Sequence, residues 1–351
     1  VADEKVIQDA LKDIMHPGLK KPLIDLGMIR NISILGGTVN VTLALKSRRG
    51  PLQENILRKI KETVGAIAGV SKVQVEITTL SPEEIKRLFP KKPLKGIEKV
   101  RHFIAVASGK GGVGKTTVAV NLALAFAKRG FRTGLLDADI YGPSVPLMLD
   151  LTEALEEEEG MAIPSEKFGL RIVSLGMTAG QDEAFIWRGP LVAKMIRRLL
   201  GQVKWGELDY LVIDLPPGTG DPSITVAQAI PQASILMVTT PQKLSLADVR
   251  RAITLFKKHN LHIAGLLENM SYFQCGHTEQ FIEIFGRGGG EALSRETGLP
   301  LLAGIPFDLN IGKGGESGVP LMISAPDSET GRIFMQVAEK LSVKTRRSDL
   351  K

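Results

Sequence analysis

The sequence predicts an α/β protein, a doubly wound and mostly parallel sheet preceded by a small α+β domain. Three observations carry that expectation. From residue 103 onward short apolar runs alternate with helical patterns, as buried parallel strands and their crossover helices do. A glycine-rich segment lies directly between the first of these runs and a helical stretch. A proline- and lysine-rich stretch containing Pro82, Pro90 and Pro93 separates this pattern from a differently organised N-terminal part. The length of 351 residues already favours two domains.

Residues 1–80 read helix, strand, strand, helix, strand, over 5–15, 29–35, 39–45, 52–68 and 72–78. Gly36-Gly37 supports a hairpin between the first two strands, because glycine supplies the positive φ of tight turns. Residues 81–100 read as linker, and 101–351 as the α/β domain with strands at 103–107, 133–136, 172–175, 211–213, 235–238 and 263–267. Ligands of such sheets sit beyond the carboxyl ends of the strands, so the residues after each run are the ones to inspect for chemistry.

Composition narrows the class. With 43% hydrophobic and 24% charged residues the chain is not a disordered one, and no apolar run approaches the roughly 20 residues of a membrane helix. The start Val1-Ala2-Asp3-Glu4-Lys5 lacks the pattern of a secretory signal, and a single cysteine, Cys275, cannot form an internal disulfide. A cytoplasmic protein is expected. Much of the excess in the net charge of +7 falls within 86–101 and 340–351, which read as solvated linker and tail. Neither specific nucleic-acid binding nor membrane binding is therefore expected. The stripe Ile333, Phe334, Val337 and Leu341, beside Lys340, Lys344, Arg346 and Arg347, reads as the core face of a last helix.

Gly109-Lys110-Gly111-Gly112-Val113-Gly114-Lys115-Thr116 follows the first apolar run and precedes the helical stretch 117–129. This is the G-x-x-x-x-G-K-[ST] phosphate cradle in its required strand-to-helix context. Glycines let backbone N–H groups turn inward, and the helix N-terminus favours negative charge. Lys115 should neutralise the β and γ phosphates, and Thr116 offers a hydroxyl to Mg²⁺. The second run ends in Asp137-Ala138-Asp139, where Asp139 is placed to orient or deprotonate an attacking water. A later run ends in Asp214, the expected magnesium carboxylate, followed by a loop in which Gly218 offers its amide to the γ-phosphate. Asp221-Pro222 reads as a helix cap followed by proline at the first helical position.

Across nearly its whole length the chain resembles the Mrp (ApbC) family of iron–sulfur cluster carrier ATPases, within the group that includes MinD, ParA and the nitrogenase iron protein. The segments that carry the resemblance begin with Ser108 through Thr117, the run Asp137-Ala138-Asp139-Ile140-Tyr141-Gly142-Pro143-Ser144, and Trp187-Arg188-Gly189-Pro190. Asp214 through Asp221, Glu268-Asn269-Met270-Ser271-Tyr272-Phe273 and Ile284-Phe285-Gly286-Arg287-Gly288-Gly289-Gly290 complete them. The resemblance implies that Lys110 reaches phosphates bound by a partner subunit, hence a homodimer enclosing the nucleotide. It implies that Asn269 and Pro306 contact adenine, that Thr117 belongs to the cradle, and that an iron–sulfur cluster is the cargo. Apo iron–sulfur proteins or assembly factors would be the partners.

Two departures bear on that cargo. Family members usually carry Cys-x-x-Cys after the Met-Ser-Tyr-Phe segment, and this chain reads Cys275-Gly276-His277-Thr278, so two subunits would offer two thiolates rather than four. The N-terminal domain has Gly50-Pro51 where Cys-Pro is frequent, and His16-Pro17-Gly18 where Asp-Pro-Glu is usual. Three readings of Cys275 stand: a bridging metal site with His277, a cluster held by one thiolate per subunit with other ligands, or a residue without metal. The function expected is an ATP-hydrolysing dimer in iron–sulfur cluster assembly or transfer. An ATP-dependent switch acting on a protein partner, and a MinD- or ParA-like positioning ATPase, are the alternatives.

Overall fold

The computed structural model describes residues 3–46, 51–89, 94–139, 142–177, 189–218, 220–230, 232–274 and 281–348, within two units, Val1–Lys92 and Pro93–Lys351. In the smaller unit Asp3 accepts from the Val6 amide at 2.8 Å and so starts α1 (Glu4–Lys12), with Glu4 in its first turn and Lys12 in its last, as the helix dipole favours. Strands β1 (Ile29–Leu35) and β2 (Thr38–Leu45) pair antiparallel through Gly36 and Gly37, whose φ values of 52° and 77° suit a tight two-residue hairpin turn. Helix α2 (Pro51–Gly65) then crosses over to β3 (Lys72–Thr79), which adds parallel to β2. Alternation puts Val39, Val41 and Leu43 of β2 on the buried face, against Ile56, Ile60 and Val64 of α2 at helical spacing.

One part of the stretch 81–100 differs from the linker expected there. Ser81 and Glu84 form a reciprocal capping box that starts α3 (Pro82–Leu88), and Ile85, Leu88 and Phe89 pack on the core of the smaller unit. Proline at the helix start is compatible with this, because the missing N–H would have no intrahelical partner.

His16 explains its own departure from the usual acid. The buried ring accepts at Nδ1 from the amides of Gly18 at 3.2 Å and Leu19 at 3.1 Å, as a carboxylate does in an Asx turn. The ring must then be neutral with its proton on Nε2. Its edge meets Phe89 with centroids 5.6 Å apart.

The larger unit begins with β4 (Val100–Ser108), α4 (Lys115–Lys128) and β5 (Thr133–Asp137). Next come β6 (Ser165–Lys167), β7 (Leu170–Ser174), α5 (Gly189–Gly201), β8 (Leu208–Asp214) and α6 (Asp221–Ala229). The unit continues through β9 (Ser234–Thr239), α7 (Lys243–Lys258), β10 (His262–Glu268), α8 (Gly289–Thr297), β11 (Leu301–Gly304), α9 (Leu309–Ser317) and α10 (Glu329–Ser348). Among the described residues the sheet runs β11-β10-β9-β4-β8-β5-β7-β6, parallel throughout except for the β6 edge. Every predicted run overlaps a strand of this sheet. The two strands without a predicted run are the polar three-residue β6 and the four-residue β11, both too short to show a period.

After β4 the chain crosses to β5 and later returns β8 into the gap between them, then builds β9 on the other side of β4. Loops from β4, β8, β5 and β9 therefore diverge at one edge, which opens a crevice there. One face of the sheet is covered by α5, α6 and α7 and the other by α4 and α10. Helix α4 lies between sheet and α10, so residues 118–126 are buried all round, and Phe126 stacks on Tyr210 at 4.2 Å. Phe334, Val337 and Leu341 of α10 are fully buried in that layer, and Lys340 Nζ donates to the Leu302 carbonyl at 2.7 Å. The stripe is a core face, as read. No helix among the described residues is long and apolar enough to cross a membrane.

Burial holds the His16 pKa below its ordinary 6.5, so its two hydrogen bonds contribute fully above that value and are lost as pH falls through the lower folded-state value. His16→Ala should lower the stability of the full chain at pH 8 by about 1–2 kcal/mol. Calorimetric unfolding at pH 8 and pH 5 should show that difference shrinking at the lower pH.

Candidate functional site

The 109–114 loop joins β4 to α4 at the crevice. Two of its glycines are required for separate reasons. At Gly109 the space a Cβ would need is filled by the backbone of Asp248 and Val249 in α7, so helix and loop are in direct contact. Gly114 caps α4 with φ 79° in the left-handed region, and a Cβ there would collide with Asn269 Nδ2. Gly112 also has positive φ, at 78°. Ser108 Oγ donates to the Lys110 carbonyl at 2.9 Å, which sets the half-buried turn from which the Lys110 side chain departs. Gly111, Val113 and Thr117 complete the loop and the first turn of α4, whose Thr117 carbonyl accepts from Asn121 at 2.9 Å.

Parallel pairing of β5 with β8 puts Asp137 beside Asp214, both with no exposed surface. Lys115 Nζ donates to Asp214 Oδ1 at 2.6 Å and lies 3.5 Å from Asp139 Oδ2. Thr116 Oγ1 donates to Asp214 Oδ2 at 2.6 Å. Four of the predicted site residues thus meet in one buried cluster. Burial drives the Asp214 pKa upward, opposed by the ammonium of Lys115. Asp137 is pushed up to about 7, first by burial and then by the charge of Asp214. Its oxygens also accept from the Asp139 amide at 3.1 Å, the Val145 amide at 3.3 Å and Ser174 Oγ at 2.9 Å. Asp137 therefore anchors the loop that carries Asp139. Thr116, Asp139 and Asp214 offer only oxygen donors, a set that fits a hard divalent cation.

Asn269 Nδ2 donates to the Val113 carbonyl at 2.9 Å, which ties the end of β10 to the phosphate loop, and Pro306 is buried on the neighbouring segment. The Gly218 amide donates to the Ser108 carbonyl at 3.0 Å and so fastens its loop to β4. The cap expected at Asp221 lies one residue earlier: Gly220 is the cap of α6, and Asp221 is its first helical residue. Cys275, His277 and Thr278 lie outside the described residues, as do Trp187 and Arg188. The sequence reading also passed over Ser174 and over Glu268, a buried acid that accepts from Ser271 Oγ and the Gly290 amide.

The model of the ParA family, described as NUBPL iron-transfer P-loop NTPase, matches residues 99–342. The chain belongs to this family. A model for iron–sulfur cluster assembly proteins matches residues 4–77 of this ParA-family chain. An iron–sulfur cluster carrier protein of Synechocystis sp. is 41% identical over 340 residues, covering 95% of each chain. A protein of the same description from Aquifex aeolicus is 38% identical, covering 95% of this chain and 98% of its own. Among solved structures, a nucleotide-binding protein of Archaeoglobus fulgidus in complex with ADP is 38% identical, with a TM-score of 0.57 over 64% of this chain and 88% of its own. The cell division ATPase MinD of Pyrococcus furiosus, at 23% identity and a TM-score of 0.51 over 70% of this chain and 99% of its own, shares the fold.

Gly114→Ala should be costly in two ways, since alanine is strained at this φ and its methyl displaces Asn269. Unfolding is expected to show a loss of about 1–3 kcal/mol, and nucleotide titration a weakened affinity. Unchanged stability and affinity would contradict the described contact.

Proposed function

We propose that this ParA-family NTPase is an ATP-hydrolysing homodimer that carries or hands on an iron–sulfur cluster. The observation that supports this best is the meeting of Lys115, Thr116, Asp139 and Asp214 beside the 109–114 loop, at the crevice of the sheet. In this reading the loop amides and Lys115 hold the β- and γ-phosphates, and phosphate oxygens compete with Asp214 for the ammonium. Thr116 directly, and Asp214 through water, would hold magnesium, which when bound polarises the transferred phosphoryl group. Asp139 orients the attacking water and accepts its proton. Asp137 keeps Asp139 in place through its amide. Asn269 and Pro306 line the adenine side.

Lys110 is assigned to the phosphates of the partner subunit. The exposed large apolar residues Leu147, Leu244, Phe281, Ile282 and Leu309 support a dimer, because all follow carboxyl ends of sheet strands, on the edge where the cradle opens. The cargo reading rests on the relatives and on Cys275, whose thiolate and the partner's Cys275 would hold a cluster between the subunits. A second reading is favoured by Thr278: the same dimer switch acts on a protein partner without a cluster. In either case the protein is assigned to the cytoplasm, where a lone thiol stays reduced.

Lys115→Ala should reduce ATP turnover by about 100-fold or more. Lys110→Ala should lower turnover by a similar order and abolish ATP-dependent dimerisation in light scattering. Full turnover in the Lys110 variant would refute the two-subunit site. Anaerobic reconstitution, with iron and sulfide assayed per dimer, should load the wild type and not Cys275→Ala. A stoichiometry near zero, or equal in both, would leave the protein-partner reading.

A further inference from the structure

Glu268 is the last residue of β10 and buried, and its side-chain hydrogen bonds go to residues outside the groups assigned to phosphate, magnesium or base. Its oxygens gather two other segments. Oε1 accepts from Ser271 Oγ, three residues on, and Oε2 accepts from the Gly290 amide in the first turn of α8. A carboxylate at a helix N-terminus is favoured by the helix dipole, and its hydrogen bonds are charge-assisted. Its carbonyl accepts from the Ile305 amide at 2.7 Å, and the Ser271 amide returns to the Ile305 carbonyl at 2.8 Å. The packing leaves little slack: a Cβ on Gly290 would lie 3.0 Å from Glu268 Oε2, and one on Gly304 would lie 2.9 Å from Ser271 Oγ.

These contacts form one chain of command across the edge of the sheet. Asn269, the next residue, holds the Val113 carbonyl of the phosphate loop at 2.9 Å. On the other side, Ser271 and Gly290 are the stems between which a hairpin of Phe273–Gln274 and Phe281–Ile282 is paired. Phe281 and Ile282 are exposed on it, and Phe281 meets the edge of Tyr272 at 5.2 Å. Asn269 and Glu268 are consecutive, so the residue that holds the phosphate loop adjoins the one that holds both stems.

We infer that Glu268 is a positioning residue that couples nucleotide in the cradle to this surface hairpin. The inference rests on reading the 109–116 loop as the ATP site. Buried hydrogen bonds are well suited to transmit a shift of the phosphate loop because losing either leaves an unsatisfied charged acceptor, so the linked segments move together.

Amide hydrogen exchange of the full chain, with and without a saturating non-hydrolysable ATP analogue, tests the coupling. In the wild type the analogue should slow exchange in the 281–287 segment by about fivefold or more. Glu268→Gln, which keeps the shape but replaces one acceptor oxygen with a donor, should abolish most of that slowing at saturation. Ser271→Ala, which removes one donor and leaves the Gly290 bond, should give an intermediate response. Exchange within β10 serves as the check that the variants are folded. A wild-type response in both variants would overturn the inference. So would binding of the analogue by the wild type without any change in 281–287, which strikes the coupling alone. Failure of the wild type to bind the analogue would remove the ATP-site reading and the inference with it.

Discussion

The ammonium of Lys115 is almost wholly removed from water, 2.6 Å from Asp214 and 3.5 Å from Asp139. Burying such charges is costly unless each finds close partners, and breaking a buried pair costs about 3–5 kcal/mol. The surrounding architecture follows from that constraint. The first helical residue of α4 must be the lysine, β8 must end at Asp214, and the loop after β5 must bring Asp139 back toward both. Asp137 adds a third carboxyl group in the adjacent register position, and burial drives it toward its neutral form. The carboxyl oxygens at the base of the site suit the cation, and the glycine-rich loop beside them the polyphosphate, of the proposed reading.

The same device recurs on either side of this centre. Asp137 and Glu268 each occupy the last position of a parallel strand, and each uses its carboxyl oxygens to collect the segments that come next. Asp137 holds the Asp139 and Val145 amides together with Ser174, and Glu268 holds Ser271 and Gly290. Strand ends are the fixed points of the fold, whereas the loops beyond them pair little or not at all with the main sheet. Acids in these positions give those loops definite conformations without covering the crevice.

Legibility in the sequence tracked how local the physics was. The phosphate loop could be read because its turn, its helix start and its lysine lie within a few residues of one another. The parallel strands could be read from their apolar runs, and Asp139, Asp214 and Asn269 from following such runs or from the family resemblance. The roles of Ser174 and Glu268 were hidden because Asp137 lies 37 residues from Ser174 and Gly290 lies 22 from Glu268, and a run of apolar letters says nothing of an acid's partner. Helix α3 was missed although its capping box is local, because the surrounding prolines and lysines suggested linker. The Gly218 amide was assigned by motif, and only coordinates reveal that the Ser108 carbonyl engages it. His16 looked like a lost acid, yet an imidazole nitrogen in the same place accepts the same kind of amides.

The side-by-side placement of Asp137 and Asp214 on β5 and β8 has a consequence for assembly of the sheet. Parallel strands of uniformly apolar composition can pair in several offsets with similar burial, so composition alone polices their alignment poorly. A displacement of β8 by one residue would turn Asp214 to the opposite face, away from the only ammonium that compensates it within this cluster and into side chains with nothing to offer a charge. Misaligned sheets are thereby penalised by the very groups proposed to serve the ligand. The chemistry at the crevice thus acts during folding as a proofreading mark, written at the ends of strands whose interiors cannot distinguish one offset from the next.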